Sequence, residues 1–170
     1  PGARLPGVEA GTGSLGQGLS IAVGMALAAR LAKKPHRVYA LLGDGECQAG
    51  QVWEAAMLAP KYHLDNLCAI VDENKIQNDE FVEKTLSLQP FRAKWEAFGW
   101  RVIEANGHDI TDVLRALDEA EGVKGRPTVI IADTVKGKGV SFMENNPEWH
   151  GKAPTRDEGE RAVQEILAAP

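Results

Sequence analysis

Several residue patterns that mark common functions are missing from this chain. Its 170 residues include two cysteines, Cys47 and Cys68, with no C-x-x-C pair and no histidine at metal-ligand spacing. That argues against a disulfide scaffold and against a thiolate metal centre, and it fits reduced core thiols in a cytoplasmic protein. Basic clusters are absent beyond the adjacent Lys33 and Lys34 and the pair Lys136 and Lys138, and the formal charge is −5. A nucleic-acid or anionic-membrane surface is therefore not expected. The longest apolar stretch, residues 19–29, is too short to cross a hydrocarbon core of about 30 Å, and no secretory segment is visible. Internal repeats and low-complexity tracts are lacking as well.

What remains is the composition of one globular domain. The chain is 44% hydrophobic, and a chain of this length buries roughly two-thirds of the surface its unfolded form exposes. Short Val/Ile/Leu runs at 38–42, 67–71, 101–104 and 128–132 have strand length. Segments 15–34, 51–59, 90–98, 110–121 and 156–168 carry apolar residues at helical spacing. Pro60 is expected to close the second of these, and Asp109 to cap the fourth, with Asp112 in its first turn. Strands uninterrupted by polar residues are buried on both faces. The expected fold is therefore α/β, a mostly parallel sheet with helices on both sides. In such sheets ligands sit beyond the carboxyl ends of the strands, which directs attention to 43–45, 72–78 and 134–139. The glycine-rich opening, 1–18, is expected to wrap over that edge.

Two of those loops carry a specific pattern. Gly43-Asp44-Gly45-Glu46 ends the first strand, and Asn74 follows thirty positions after Asp44 in Asp72-Glu73-Asn74-Lys75-Ile76. Glycines flanking Asp44 allow backbone to approach a bulky anion, and a helix opening near Gln51 supplies N–H groups and a positive dipole end. A diphosphate suits that place. Mg²⁺ prefers octahedral oxygen coordination and commonly takes part of it from substrate phosphates. Two diphosphate oxygens, the Asp44 carboxylate, the Asn74 amide oxygen, the Ile76 main-chain carbonyl and one water complete such a shell.

Gly-Asp-Gly with a distant Asn resembles the signature of thiamin-diphosphate enzymes. Further runs resemble transketolases in order and spacing: the stretch from Gly11 to Gly18, Gly107-His108-Asp109, Thr134-Val135-Lys136-Gly137-Lys138-Gly139 and Trp149-His150-Gly151. The resemblance implies that Gly13, Leu15, Gly45 and Glu46 border the cofactor, and that Asp44, Asn74 and Ile76 hold Mg²⁺, with Ca²⁺ or Mn²⁺ as substitutes. It further implies that His150 faces both the diphosphate and the reacting end. This chain would be the diphosphate-binding subunit of a split transketolase. A pyrimidine-domain partner, in an α2β2 assembly, would supply the glutamate needed for activity. Sugar phosphates would be the substrates, with transfer of a two-carbon ketol unit between them.

The residues also have plainer readings. Asp44 suits a turn, His108 a turn ahead of a capped helix, His36 and His63 loops, and the four tryptophans packing, with Trp53 also placed for an interface. Lys136 and Lys138 either solvate a loop or face a phosphate. Glu54 corresponds to a carboxylate that links the two active sites in the family. Ala49 departs from the family, which commonly has glutamate there, and weaker coupling between sites is the expected consequence. The family's leading segment, with its channel histidines, has no counterpart before Pro1. A deoxyxylulose-phosphate synthase and a non-catalytic interaction module of the same fold are the rival readings.

Overall fold

The computed structural model describes residues 6–78 and 80–168. Helix α1 (Gln17–Leu31) is followed by strand β1 (Val38–Gly43), a 3₁₀ turn (Gly45–Gln48), α2 (Gly50–Lys61) and β2 (Leu67–Glu73). A two-stranded hairpin, β3 (Ile76–Gln77) and β4 (Glu80–Phe81), leads through α3 (Val82–Leu86) and α4 (Phe91–Ala97) to β5 (Arg101–Asn106). The chain continues as α5 (Ile110–Gly122), β6 (Thr128–Asp133), a second 3₁₀ turn (Pro147–Trp149) and α6 (Arg156–Ala168).

Four strands form one parallel sheet in the order β1-β2-β6-β5. Its register brings the carboxyl ends level: Gly43 pairs with Asp72, Glu73 with Asp133, and Asn106 with Asp133. The loops after all four strands therefore open on a single edge.

Helices α1, α2 and α4 cover one face over the larger core, which includes Leu19, Val23, Leu42, Val71, Trp95 and Val129. The buried residues of α1, namely Leu19, Ala22, Val23, Ala26 and Ala29, recur at three and four positions and form one stripe. Leu19, Leu64 and Leu67 are fully buried, each worth about 1.5–3 kcal/mol. Helix α5 covers the other face, burying Ala116 and Ala120 on Cys68, Ile103, Ala105 and Ile130. Both faces thus carry helices as expected, while Leu41, on β1 beyond the reach of α5, is 74% exposed.

Three local details refine or depart from expectation. Pro60 lies inside α2 instead of closing it. Proline has no N–H to give the carbonyl four residues back, and the Trp100 indole N–H takes that Ala56 oxygen at 2.8 Å. The helix consequently runs two residues beyond the expected end, to Lys61. Trp53 is half-buried and makes the packing expected of the tryptophans. Its ring packs on Phe91, Trp95 and Phe98, and its indole N–H donates to the Cys47 carbonyl at 2.8 Å. The β3-β4 hairpin, with two residues per strand, is too short to leave a sequence period.

Other expectations stand. Asp109 caps α5, accepting from the N–H groups of Thr111 and Asp112. Cys47 and Cys68 are free and buried, and burial raises both thiols, Cys68 to about 11. Among the described residues no helix is long and apolar enough to cross a membrane.

Candidate functional site

The carboxyl edge of the sheet carries the two buried polar residues that the sequence singles out. Asp44 is 4% exposed and Asn74 is 7% exposed. Asp44 caps the 3₁₀ turn: Oδ1 accepts from Gly45 N at 2.8 Å, and Oδ2 accepts from Lys75 N at 2.7 Å. This carboxylate therefore ties the loop after β1 to the loop after β2. Asn74 donates from Nδ2 to Asp72 at 2.9 Å, while its Oδ1 accepts from Ile76 N at 3.1 Å. Ile76 itself is buried at the start of β3.

Burial, aided by the nearby charge of Asp72, raises the Asp44 carboxyl above its ordinary value, against the pull of its backbone N–H partners. The Lys75 N–H is one of those partners, and the Lys75 ammonium and the Asp44 carboxylate also act on each other through space. Glu73 is raised too, first by burial and then by Asp44, Asp133 and Glu104, with Lys75 opposing. A buried carboxylate beside an amide oxygen on the next loop is a donor set for a hard cation. Among the described residues no three His, Cys, Asp or Glu side chains cluster as a metal cage.

Two glycines shape the surroundings. A Cβ on Gly45 would lie 2.7 Å from Gln77 Cβ, so the turn and the hairpin meet only because that side chain is absent. Gly16 has φ +84°, and a Cβ there would lie 2.8 Å from Ala49 Cβ. Glu46 fastens these pieces together: Oε1 accepts from Gly16 N at 2.9 Å and Oε2 from Gly43 N at 3.1 Å. Its carboxylate thus joins the glycine-rich opening to the end of β1, a role that the residue type alone did not disclose. Residues 6–15 of that opening, Gly13 and Leu15 included, are exposed. Residues 1–5 of the expected wrap lie outside the described residues.

A cleft of about 510 Å³ opens beside Asn74, between the second face of the sheet and α5. Asp72, Asn74, His108, Thr134, Lys136 and Gly137 are in its wall. The His108 ring accepts the Val135 N–H at Nε2, 2.7 Å away, and so does more than precede the helix cap. Lys136 faces this cleft, whereas Lys138 lies 3.7 Å from Glu144. His150 is exposed at the end of the second 3₁₀ turn, which lies against β4, and is not in the cleft wall. The neighbouring Trp149 packs on Phe142 and receives the Lys152 ammonium on its ring. Glu54 is exposed on α2 together with Met57 and Leu58, and Ala49 is half-buried at the start of that helix.

The chain matches a known family. The family described as transketolase, thiamine diphosphate binding domain, matches residues 2–168. The chain belongs to it. An apulose-4-phosphate transketolase polypeptide of Phocaeicola vulgatus, one of that enzyme's subunits, is 44% identical over 166 residues, covering 98% of this chain and 59% of that protein. A 6-deoxy-6-sulfo-D-fructose transketolase subunit from a Clostridium species is 42% identical over 163 residues, covering 96% and 59%. The crystal structure of transketolase from Campylobacter jejuni superposes with a TM-score of 0.88 at 34% identity, over 95% of this chain and 26% of that one. The transketolase domain thus spans about 59% of the length of the curated subunits it resembles.

Sequence reading missed Asp72, Thr134 and the joining role of Glu46. A signal for the first was present. Asp72 and Asn74 stand two apart at a strand end, where side chains of i and i+2 share a side.

Proposed function

We propose that this domain binds the diphosphate and Mg²⁺ of thiamin diphosphate, as part of a transketolase completed by a pyrimidine-domain partner in an α2β2 assembly. The observation that carries the reading is the buried pair Asp44 and Asn74, on adjacent strand ends with their oxygens fixed by hydrogen bonds.

Asp44, Asn74 and the Ile76 carbonyl would hold the metal, with Mg²⁺ as the resident ion and Ca²⁺ or Mn²⁺ as substitutes. Gly45 lets the backbone approach the diphosphate, and Glu46 keeps the opening with Gly13 and Leu15 against that loop. His150 would reach the diphosphate and the reacting end from the loop after the second 3₁₀ turn. When bound, the cofactor supplies an electron sink for breaking and making carbon–carbon bonds. The substrates would be a ketose phosphate and an aldose phosphate, exchanging a two-carbon ketol unit. Two relatives named as transketolase subunits, one for apulose 4-phosphate and one for 6-deoxy-6-sulfo-D-fructose, support an enzyme divided between two polypeptides. The exposed Glu54, Met57 and Leu58 on α2 suit an interface with the partner, and Ala49 leaves it one carboxylate short of the family pattern.

The test mixes the complete protein with a candidate pyrimidine-domain partner, thiamin diphosphate and Mg²⁺. Ketol transfer between sugar phosphates is assayed beside condensation of pyruvate with an aldehyde phosphate. Ketol transfer only in the mixture is the expected result. Pyruvate condensation alone would assign the synthase chemistry, and absence of cofactor binding would assign an inert module.

A further inference from the structure

One side chain in the cleft wall has no part in the metal shell yet contacts a member of it. Asp72 is the penultimate residue of β2, level with Gly43 of β1 and Ala132 of β6. Its carboxylate accepts from two directions: Oδ2 from Asn74 Nδ2 at 2.9 Å, and Oδ1 from the Thr134 hydroxyl in a short hydrogen bond. Thr134 in turn is anchored to the same strand end, its N–H donating to the Glu73 carbonyl at 3.3 Å. The next residue, Val135, donates its N–H to His108 Nε2 at 2.7 Å, so the loop after β6 is held from both sides.

The two ends of a carboxamide are almost the same size, and only hydrogen-bond partners decide which end faces a ligand. An ionised carboxylate accepts and cannot donate. Set against Asn74, it tolerates the NH₂ end and rejects the oxygen end. The oxygen is thereby turned toward Ile76 N, which it accepts at 3.1 Å, on the side where Asp44 meets the same loop through Lys75 N. An asparagine at position 72 would satisfy either orientation of Asn74, and the inverted one would present N–H groups to a cation. Thr134 keeps Oδ1 engaged and leaves Oδ2 to the amide.

We infer that Asp72, braced by Thr134, is the positioning residue that selects the metal-facing orientation of the Asn74 amide. The inference rests on Asn74 being a metal ligand, as proposed above. It is a statement about orientation and separable from charge, because the Thr134 hydroxyl can be removed while the Asp72 carboxylate stays.

The experiment uses the complete protein with its partner polypeptide and saturating thiamin diphosphate, and reads Mn²⁺ affinity by electron paramagnetic resonance. Turnover is not the readout. Partners of metal ligands typically change metal affinity by about 10–100-fold when replaced. Asp72→Asn is expected to weaken Mn²⁺ binding by about tenfold or more, Thr134→Val by about threefold or more, and Thr134→Ser by less than about twofold, on that scale. Loss in Asp72→Asn with none in Thr134→Val would show that Thr134 does not brace Asp72 and would overturn the inference. Unchanged binding in Asp72→Asn, with binding lost in Asp44→Ala, would overturn it too. Unchanged binding in Asp44→Ala would instead place the metal elsewhere and remove the reading beneath it. Should Asp72→Asn fail to fold, the Thr134 pair decides by the same criterion.

Discussion

Asp44 carries two tasks that oppose each other. It holds the loops after β1 and β2 together through Gly45 N and Lys75 N, and it does so as a buried charge. Burial first, and Asp72 second, disfavour its ionised form, so in the folded metal-free chain it takes up a proton at a higher pH than in the unfolded chain. Its contribution therefore favours folding as pH falls through the interval between the two values, and that contribution is lost as pH rises above the folded one. Urea denaturation of the metal-free protein at a series of pH values checks this against Asp44→Ala. The stability of the parent relative to the variant should rise on acidification from neutral pH into the carboxylate range. A gap that is constant, or that narrows in favour of the variant, would refute it. The same argument explains why a bound cation suits the site, since it restores the balance that burial removes.

At the scale of elements, the site hangs on packing between pieces that carry little periodicity. The 3₁₀ turn Gly45–Gln48 is pinned from below by the Trp53 indole on the Cys47 carbonyl and from above by Gln77 of the hairpin. Gly45→Ala would place a methyl 2.7 Å from Gln77 Cβ and drive turn and hairpin apart. Overpacking of this kind costs about 1–3 kcal/mol. Chemical denaturation should show that loss together with weaker cofactor binding, whereas an unchanged midpoint would mean the contact is slack. The four strands, the parallel sheet, and the helices at 110–121 and 156–168 were legible because each is long enough to show its period. Asp44 and Asn74 were legible because glycine and asparagine at strand ends are chemically conspicuous. The 3₁₀ turn, the hairpin, the passage of α2 through Pro60 and the Asp72 to Thr134 contact were not. Each depends on a partner far along the chain: Trp100 for Ala56, Thr134 for Asp72, Gly16 for Glu46.

For the whole molecule, the level carboxyl ends of four parallel strands collect Asp44, Asp72, Asn74, Thr134 and Gly107 on one edge. Geometry does there what no single motif could. The domain spans about 59% of the curated subunits it resembles, and the exposed Leu41 on the sheet and Met57 and Leu58 on α2 are surfaces of this domain taken by itself. Asp44 is the residue proposed to bind the metal through which the diphosphate is held. Calorimetric titration of thiamin diphosphate into the complete protein with its partner, with and without Mg²⁺, tests it directly. Asp44→Ala should abolish the Mg²⁺-dependent part of the affinity. A fall of less than about tenfold, worth roughly 1.4 kcal/mol, would contradict the assignment.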